Sequence, residues 1–404
     1  MQYYERNRLK SRVKAVSVMQ KKIKVLFVLT EGWFFLSHFR PLAEAISSTT
    51  THSGTIVTTL GNTRPSLEEL QLETISLDFE RASFNPFSAL KLLWNLRKIL
   101  RKERPDIVHF IALKPIIIGG LASLFLREVS KVYHLTGLGY LAKGKTWLAK
   151  TKKNIIFRMA AFFTRQNNSW LITENPDDLA FLQKYGATKT NTSLFGGAGV
   201  DPDYFTPAKT RKSDQVHIGY VGRMIWSKGV DVLVEAMNKL RERGISVQLN
   251  LFGTPDLANP KSISYETLER WSQLPNISWH GGINDVRKVW AKCEIAVVPT
   301  RIGEGMPRAM LEAAACARGL IVTDVAGCRH FVEPQKDGLL VPPEDATALA
   351  DAIELLVANP RLRKTLGENA RKKILENYTE AHVRSAILKV YEQVRVNGKN
   401  ETGQ

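Results

Sequence analysis

The segment IAVVPTRIGEGMPRAMLEAAACARG, residues 295–319, runs from an apolar strand through a polar loop into a helix. The apolar residues before Pro299 predict a buried strand, and Pro307 suits the first position of a helix. A helix that begins directly after a strand presents unpaired N–H groups and a partial positive charge, which favour a phosphate. Glu304 precedes this helix and Glu312 lies inside it, so their carboxylates are roughly 10 Å apart and suit two ends of one long ligand.

These two acids also have a simpler interpretation. Glu304 would complement the helix dipole and Glu312 would be a solvated residue of an alanine-rich helix, each contributing a few tenths of a kcal/mol. The spacing of two glutamates does not decide between the two interpretations.

Apolar strands alternate with helices on both sides of this segment. In the first half we predict strands at 23–29, 55–60, 74–77, 105–110, 131–135, 170–173 and 192–195, with helices at 37–46, 66–70, 86–102, from about 115, and at 147–163. In the second half we predict strands at 217–221, 247–252, 277–280, 295–299, 320–323 and 338–341, with helices at 230–243, 286–291, from 307, and at 346–358, 360–375 and 380–396. This alternation predicts an α/β protein of two doubly wound Rossmann-like domains that face a cleft.

The segment GGAGVDPDYFTP, residues 196–207, separates the two halves. Its glycine, proline and aspartate content is typical of an interdomain linker. We assign residues 1–22 to a basic leader, 23–200 to an N-terminal domain, 208–376 to a C-terminal domain, and 377–404 to a helix expected to pack back on the N-terminal domain. Asp201 and Asp203 also have the spacing of a metal-binding D-x-D pair.

The charge of the chain requires an acidic partner. The 404 residues are 44% hydrophobic and 24% charged, as in a globular protein, but the formal net charge is +18. Residues 91–165 hold 16 Lys and Arg against 3 Asp and Glu. Within them, WLAKTKKNIIFRMAAFF at 147–163 is typical of a helix lying on an anionic membrane, although an ordinary amphipathic helix docked on its own sheet has the same pattern.

The sequence gives little support for a membrane-spanning helix, for export from the cell or for a nucleic-acid-binding module. The apolar run 115–126 has 12 residues, whereas about 20 are needed to span a bilayer. The run 23–29 lacks a signal-peptide cleavage site. Cys293, Cys316 and Cys328 are typical of free thiols in a reducing cytoplasm. A basic nucleic-acid-binding protein is the alternative that charge alone allows, but no binding motif supports it, and we expect no nucleic-acid partner.

A second loop, GRMIWSKG at 222–229, follows the first strand of the second half. Arg223 and Lys228 on this glycine-bounded loop can reach a diphosphate from two sides, the Arg bidentately and the Lys as a point charge. Two solvated loop cations are the alternative.

These motifs together resemble those of the retaining glycosyltransferases of family 4, which have a GT-B fold. The resemblance covers most of residues 23–390 and rests on Glu304 and Glu312, GLIVTDVAGCR at 319–329, the 222–229 loop and the 199–207 linker. It implies that Glu304 faces the donor sugar, that Glu312 binds the ribose, and that Arg223 and Lys228 neutralise the leaving diphosphate. The residues that it further implies at the donor are Gly32, Gly222, Gly305, Met306 and Pro307.

The resemblance also implies a UDP-sugar substrate, no further cofactor and no metal, so that Asp201 and Asp203 belong to the linker. It implies a front-face reaction in which the leaving phosphate helps to deprotonate the acceptor hydroxyl. His109 is the first candidate for a catalytic contact to the sugar. Weaker candidates for acceptor or sugar contacts are His38, His134, Lys114, Thr136 and Gly137; many family members carry a His where this chain has Thr136-Gly137.

Several segments are similar to the bacterial branch that extends undecaprenyl-diphosphate-linked saccharides: WFFLSHFRPL at 33–42, Lys114-Pro115, TGLGY at 136–140, Asn175-Pro-Asp-Asp and Gly327-Cys-Arg329. The chain departs from this branch at His330, where a Glu is usual. We therefore expect a retaining, metal-independent hexosyltransferase that uses a UDP-sugar and a lipid-linked saccharide, and that lies peripherally on the inner face of the cell membrane. A transferase on a soluble acceptor and a sugar-nucleotide epimerase are the alternatives.

Overall fold

The computed structural model describes residues 22–79, 86–139, 146–166, 168–208, 215–301 and 304–402. The predicted basic leader lies outside these residues except for Lys22. Tyr140 of the predicted 136–140 loop, Lys143 and Lys145 of the basic region, and Ile302 and Gly303 of the 295–319 segment also lie outside them.

The described part of the first half forms one parallel sheet with helices on both faces. Its strands are β1 (Ile23–Glu31), β2 (His52–Thr59), β3 (Leu72–Ser76), β4 (Ile107–Ile111), β5 (Ser130–Leu135), β6 (Ser169–Thr173) and β7 (Thr192–Leu194). Its helices are α1 (Gly32–His38), α2 (Arg40–Ser47), α3 (Arg64–Glu69), α4 (Pro86–Glu103), α5 (Leu113–Ser123), α6 (Trp147–Thr164) and α7 (Pro176–Lys184). The strand order is β3-β2-β1-β4-β5-β6-β7.

The second half repeats this architecture. Its strands are β8 (Val216–Val221), β9 (Val247–Phe252), β10 (Ile277–Trp279), β11 (Ile295–Val298), β12 (Gly319–Thr323) and β13 (Leu339–Val341). Its helices are α8 (Val230–Glu242), α9 (Tyr265–Ser272), α10 (Arg287–Lys292), α11 (Arg308–Ala315), α12 (Ala326–Arg329), α13 (Ala346–Ala358) and α14 (Pro360–Asn377), and α15 (Glu380–Thr402) follows. The strands are parallel in the order β10-β9-β8-β11-β12-β13. The prediction of two doubly wound domains is confirmed.

The central strands contain runs of buried apolar residues because helices cover both faces of each sheet. In β1, for example, residues 25–29 are fully buried. The three cysteines are also buried, with free thiols.

The chain crosses between the domains twice, and the two crossings lie side by side. Val200 donates its N–H to the Tyr378 carbonyl at 3.0 Å and accepts the Glu380 N–H at 3.1 Å. After the second crossing, α15 packs on the first domain, where Val383, Ile387, Val390, Tyr391 and Val394 are buried in its core. Asp201 caps the turn at the first crossing by accepting the N–H groups of Asp203 and Tyr204.

Some elements differ from the prediction. α1 begins at Gly32, directly after β1, whereas a helix was expected from residue 37. α9 was not predicted, because it is short and polar and buries only Leu268. α7 was also missed, although Asn175 is an N-cap residue and Pro176 is in the first helical turn, which are ordinary signals of a helix start.

Candidate active site

Two loops leave the carboxyl ends of β8 and β11, which are neighbours where the strand order of the second sheet reverses. Open α/β sheets bind ligands at such a point. The first loop carries Arg223 and Lys228, and the second carries Glu304. The Lys228 Nζ lies 2.5 Å from the Glu304 Oε1. The structure therefore brings together the cation and the acid that were assigned to the donor from different parts of the sequence.

Close backbone contacts hold the two loops together. Gly229 has a φ of +69°, and a Cβ there would lie 2.0 Å from the Pro299 carbonyl oxygen. The Arg301 N–H donates to the Ser227 carbonyl at 2.9 Å. The Arg301 guanidinium also binds both carboxylate oxygens of Asp231, at 2.6 and 2.5 Å. Lys228 is thus fixed in position against the end of β11.

Two further cations of this region have carboxylate partners. The Arg223 Nη1 lies 2.6 Å from the Asp256 Oδ2, and the Arg308 Nε lies 2.7 Å from the Glu312 Oε1. Glu312 is 6% exposed, and burial raises its pKa, while the neighbouring Arg308 opposes that rise. An anionic ligand that binds these cations has to exchange their present partners for its own oxygens.

The N-terminus of α11 opens beside this cluster. Pro307 was predicted as the first helical residue, but it is the N-cap residue, so the helix begins one position later at Arg308, and the Pro307 side chain makes no capping hydrogen bond. The N–H groups of the first turn therefore supply the partial positive charge that favours an anion.

The first domain adds His38 and Trp33 from α1. Burial and the cations Arg308, Lys228 and Arg223 lower the pKa of His38 to about 3. The His38 ring is therefore neutral near pH 7 and can accept a hydrogen bond. The Arg223 guanidinium carbon lies 5.9 Å from the centre of the Trp33 ring. Among the predicted histidines, His38 is the one that the structure places among the charged groups of the second domain.

His109 lies elsewhere, in the core of the first domain. Its side chain is fully buried, it stacks on His134 with ring centres 5.4 Å apart, and its Nδ1 lies 2.9 Å from the Tyr391 hydroxyl. The predicted contact between His109 and the sugar is therefore corrected: its side chain points from the middle of β4 towards α15. The sequence did not reveal this because α15 reaches β4 only after the second crossing.

At two of the predicted donor-site glycines, packing within the protein itself leaves no room for a side chain. A Cβ at Gly32 would lie 2.2 Å from the Thr63 Oγ1, and one at Gly222 would lie 2.8 Å from the Tyr220 hydroxyl oxygen. A close approach of the donor to either glycine stays a prediction.

The weaker first-domain candidates fall in two places. Lys114 donates to the Phe79 carbonyl at 2.6 Å and lines an open recess of the first domain with Lys91 and Asn95. Thr136 lies at the domain interface, where its carbonyl accepts the Gly305 N–H at 3.0 Å. Gly137, the next residue, has a φ of +121°.

Sequence reasoning missed the role of Glu174 and Asn175. The Glu174 Oε2 accepts the Met306 N–H at 2.8 Å, and the Asn175 Nδ2 donates to the Gly305 carbonyl at 3.0 Å. Burial, followed by the nearby acids Asp178 and Glu304, raises the pKa of Glu174 to about 8, although the bond from Met306 opposes the rise. Asn175-Pro signals a helix start, but no local pattern points to a partner in the other domain.

His330, the departure from the usual Glu, faces an acid across the domain interface. Its Nε2 lies 3.1 Å from the Asp177 Oδ1, and the Arg329 Nη1 lies 3.3 Å from the Asp177 Oδ2. A Glu at this position would repel Asp177. In the described ranges, no group of three or more His, Cys, Asp or Glu side chains is arranged to hold a metal ion.

Comparisons with known proteins agree with this architecture. Residues 24–166 match the family model described as "Glycosyl transferase 4-like", and residues 215–359 match "Glycosyl transferases group 1". The chain is 28% identical over 346 residues to the N,N'-diacetylbacillosaminyl-diphospho-undecaprenol alpha-1,3-N-acetylgalactosaminyltransferase of Campylobacter jejuni, covering 82% of this chain and 88% of that protein. It is 24% identical over 322 residues to the UDP-Gal:alpha-D-GlcNAc-diphosphoundecaprenol alpha-1,3-galactosyltransferase of Escherichia coli, covering 76% and 80% respectively.

Solved structures share the fold. The Anabaena protein Alr3699/HepE in complex with UDP and glucose superposes with a TM-score of 0.72 at 16% identity, covering 92% of this chain and 99% of that one. The family resemblance inferred from the sequence is thus confirmed. With a glycosyltransferase 4-like first domain and a group 1 second domain, this chain belongs to the glycosyltransferases of GT-B fold.

Proposed function

We propose that this glycosyltransferase moves a hexose or an N-acetylhexosamine from a UDP-sugar to a lipid-diphosphate-linked saccharide, in the assembly of a cell-surface polysaccharide such as a capsule or O-antigen. The observation that carries the proposal is the meeting of Arg223, Lys228 and Glu304 beside the uncapped start of α11. The relatives from C. jejuni and E. coli are named for diphosphoundecaprenol-linked acceptors, which supports the acceptor class. The Anabaena complex with UDP supports the donor class.

The chemistry follows from the charges. Cleavage of the bond between sugar and diphosphate develops positive charge on the anomeric carbon and negative charge on the leaving phosphate. Arg223, Lys228 and the first N–H groups of α11 stabilise the phosphate. Glu304 holds sugar hydroxyls and supports the positive charge, while Glu312 binds the ribose. Because fixed cations neutralise the diphosphate, the reaction needs no metal.

The stereochemical outcome is retention. The acceptor oxygen attacks on the same face that the diphosphate leaves, and the leaving phosphate oxygen takes the proton of the acceptor hydroxyl. Glu304 then forms no covalent adduct, in contrast to the carboxylate nucleophile of retaining glycosidases. His38, neutral and close to Arg223 and Lys228, accepts a hydrogen bond from a hydroxyl of the donor sugar or of the acceptor.

The acceptor approaches from the first domain. Lys91 and Lys114 beside the recess next to β3 supply positive charge for the diphosphate of the acceptor. None of the helices in the described ranges is long and apolar enough to cross a bilayer. Because the proposed acceptor is a lipid, we propose that the enzyme lies peripherally on the cytoplasmic face of the membrane that carries this lipid.

The membrane-facing surface is the layer of α4, α5 and α6, in which α5 packs between the other two helices. Large apolar side chains are exposed on it, with exposed fractions of 81% for Phe87, 56% for Trp94, 74% for Phe125 and 75% for Trp147. Basic residues accompany them: Arg97 lies over the Phe125 ring, and Lys98 over the Trp94 ring. Aromatic groups mixed with cations suit the interface of an anionic bilayer.

The test is a transfer assay with a panel of UDP-hexoses and UDP-N-acetylhexosamines and extracted polyprenyl-diphosphate saccharide. Mass spectrometry should find a lipid product one sugar longer, NMR should find the donor's anomeric configuration in the product, and EDTA should leave the rate unchanged. Release of UDP without an extended lipid would contradict the proposed acceptor and favour a soluble acceptor. Conversion of one UDP-sugar into its epimer would favour an epimerase.

A further inference from the structure

Three hydrogen bonds join the first domain to consecutive backbone groups of the loop that follows Glu304. The Thr136 carbonyl accepts the Gly305 N–H at 3.0 Å, and the Asn175 side-chain amide donates to the Gly305 carbonyl at 3.0 Å. The Glu174 carboxyl accepts the Met306 N–H at 2.8 Å. This loop belongs to the second domain by sequence, but the first domain binds the polar backbone groups of residue 305 and the N–H of residue 306.

Glu174 is the ionisable member of this contact and is closely enclosed. It is 8% exposed, and a Cβ at Gly305 would lie 1.9 Å from its Oε2, so the loop can approach it only with a glycine there. The His134 Nε2 is 3.8 Å from the other carboxyl oxygen, which is too far for a hydrogen bond. Burying a carboxyl costs free energy unless the group is hydrogen-bonded. The hydrogen bond from the Met306 N–H therefore stabilises the Glu174 side chain in its buried position.

Asn175, the residue after Glu174, is held in place by two hydrogen bonds to Asp178. The Asn175 Oδ1 accepts the Asp178 N–H at 2.8 Å at the start of α7, and its Nδ2 donates to the Asp178 carboxylate at 2.9 Å. The amide that reaches Gly305 is therefore fixed by α7. Glu174 lies between this anchored residue and the end of β6, which makes it part of a rigid edge of the first domain.

We propose that Glu174 is a positioning residue of the glycosyltransferase: through the Met306 N–H it fixes the loop that carries Glu304 on one side and the start of α11 on the other. The inference rests on the proposed function, because it assigns these two groups to the donor. Without Glu174 the loop loses its bond at residue 306, and the distance from Glu304 to His38 and Trp33 of the first domain is no longer defined. Glu174 itself touches no reacting atom.

The opposite interpretation makes a different prediction. If Glu174 merely blocked the Met306 N–H, and the UDP-sugar needed that N–H as a hydrogen-bond donor, replacing Glu174 would tighten binding of the UDP-sugar and leave kcat undiminished. A positioning role requires a slower reaction with nearly unchanged UDP affinity, because Arg223 and Lys228 still hold the diphosphate.

The experiment compares Glu174→Gln, whose amide oxygen still accepts the Met306 N–H, with Glu174→Met, which has similar length and cannot accept it. Amide hydrogen exchange on the full-length protein without donor should be about tenfold faster at Met306 in Glu174→Met and within about threefold of the parent in Glu174→Gln. The kcat of Glu174→Met should fall about tenfold or more, with the Kd for UDP within about threefold, and Glu174→Gln should recover most of it. Glu69→Gln, an exposed acid on α3, is the control.

Unchanged exchange at Met306 in Glu174→Met would overturn the inference, as would tighter UDP-sugar binding with undiminished kcat. Equal loss of kcat in the Gln and Met variants would also overturn it. The exchange measurement does not depend on turnover. The parent protein could transfer no sugar while Glu174→Met still speeds amide hydrogen exchange at Met306. That result would refute the proposed function but would establish the hydrogen bond between Glu174 and the loop.

Discussion

At the scale of single residues, Lys228 and Glu304 show how opposite charges meet from loops 70 or more positions apart. Their 2.5 Å contact neutralises both groups in the cleft. The two residues were assigned to one site from the sequence because the motifs that hold them resemble those of a known family, and both motifs follow strands, whose ends share an edge of a parallel sheet. Glu174 had no such signal, since its partner Met306 depends on how two domains dock.

Replacing Glu304 and Arg223 should separate binding from chemistry. Glu304→Gln should lower kcat by about 100-fold or more while the Kd for UDP stays within about threefold, because the proposed function has the carboxylate act on the sugar. Arg223→Ala should weaken UDP binding about tenfold and lower turnover as well, because the same proposal has the guanidinium contact the diphosphate in both states. Calorimetry with UDP and the transfer assay measure the two effects, and Arg241→Ala, exposed on α8, should change neither. A fully active Glu304→Gln enzyme would remove Glu304 from the site.

The buried carboxyl of Glu174 should make stability depend on pH. Burial raises its pKa from the ordinary 4.5 to about 8, so between these values the folded chain holds a proton that the unfolded chain has lost. This contribution is complete below pH 4.5 and is lost as the pH rises to about 8. Between pH 5 and 8 the parent should lose up to roughly 4 kcal/mol more free energy of unfolding than Glu174→Gln.

Urea unfolding at the two pH values measures this difference. His134 faces Glu174, but burial lowers its pKa to about 3, so its ring stays neutral in the folded chain throughout this window, whereas Asp178, with a pKa raised to about 7, titrates in both proteins. Equal pH slopes for the parent and Glu174→Gln would mean that Glu174 is ionised in the folded chain.

At the scale of elements, strands such as β1 and β11 were readable because both faces of each sheet are covered, so these strands contain runs of buried apolar residues. The surface helices were harder. α9 buries only one residue, although Ser264 caps its start, and α1 begins without a capping side chain. The basic helices α4 and α6 were readable, but only the structure places them in one layer with Phe125.

Charge reversal on α4 should weaken membrane binding. Lys98→Glu with Arg101→Glu should lower affinity for vesicles rich in anionic lipid by tenfold or more, because each basic residue near the surface contributes about 1 kcal/mol. Trp94→Ser should weaken binding with less dependence on salt, since it removes apolar contact. Vesicle sedimentation at two salt concentrations measures both. Lys364→Glu with Lys372→Glu, exposed on α14, is the matched control, and equal weakening by it would argue against a defined membrane face.

At the scale of the whole molecule, the sequence predicted two domains but contained no pattern for their interface. The interface depends on pairs such as His330 with Asp177. His330 directly follows α12 and Asp177 lies on α7, and no pattern in the sequence indicated that the two residues meet. The unusual His330 became interpretable only when its acidic neighbour from the other domain was seen.

A charge exchange should test this interface. His330→Glu should raise the KM for the donor by about two- to fivefold, since it places two carboxylates of partly exposed side chains together and such pairs are worth about 1 kcal/mol. Adding Asp177→Arg should restore the parent value by supplying the opposite charge. In small-angle scattering, His330→Glu should have a larger radius of gyration than the parent, and the double variant should return to the parent value. Failure of the second change to compensate would exclude a direct electrostatic contact.

The position of α15 has a consequence for biosynthesis. The side chains that complete the first domain's core lie at residues 383–394, so a ribosome that has finished β7 must still translate the entire second domain before they emerge. At about 5–20 residues per second this takes roughly 10–40 s. During that interval the nascent first domain exposes the apolar surface of α2 that α15 later covers. The domain made first is thus the one finished last, and this exposed surface is where a chaperone would be needed during translation.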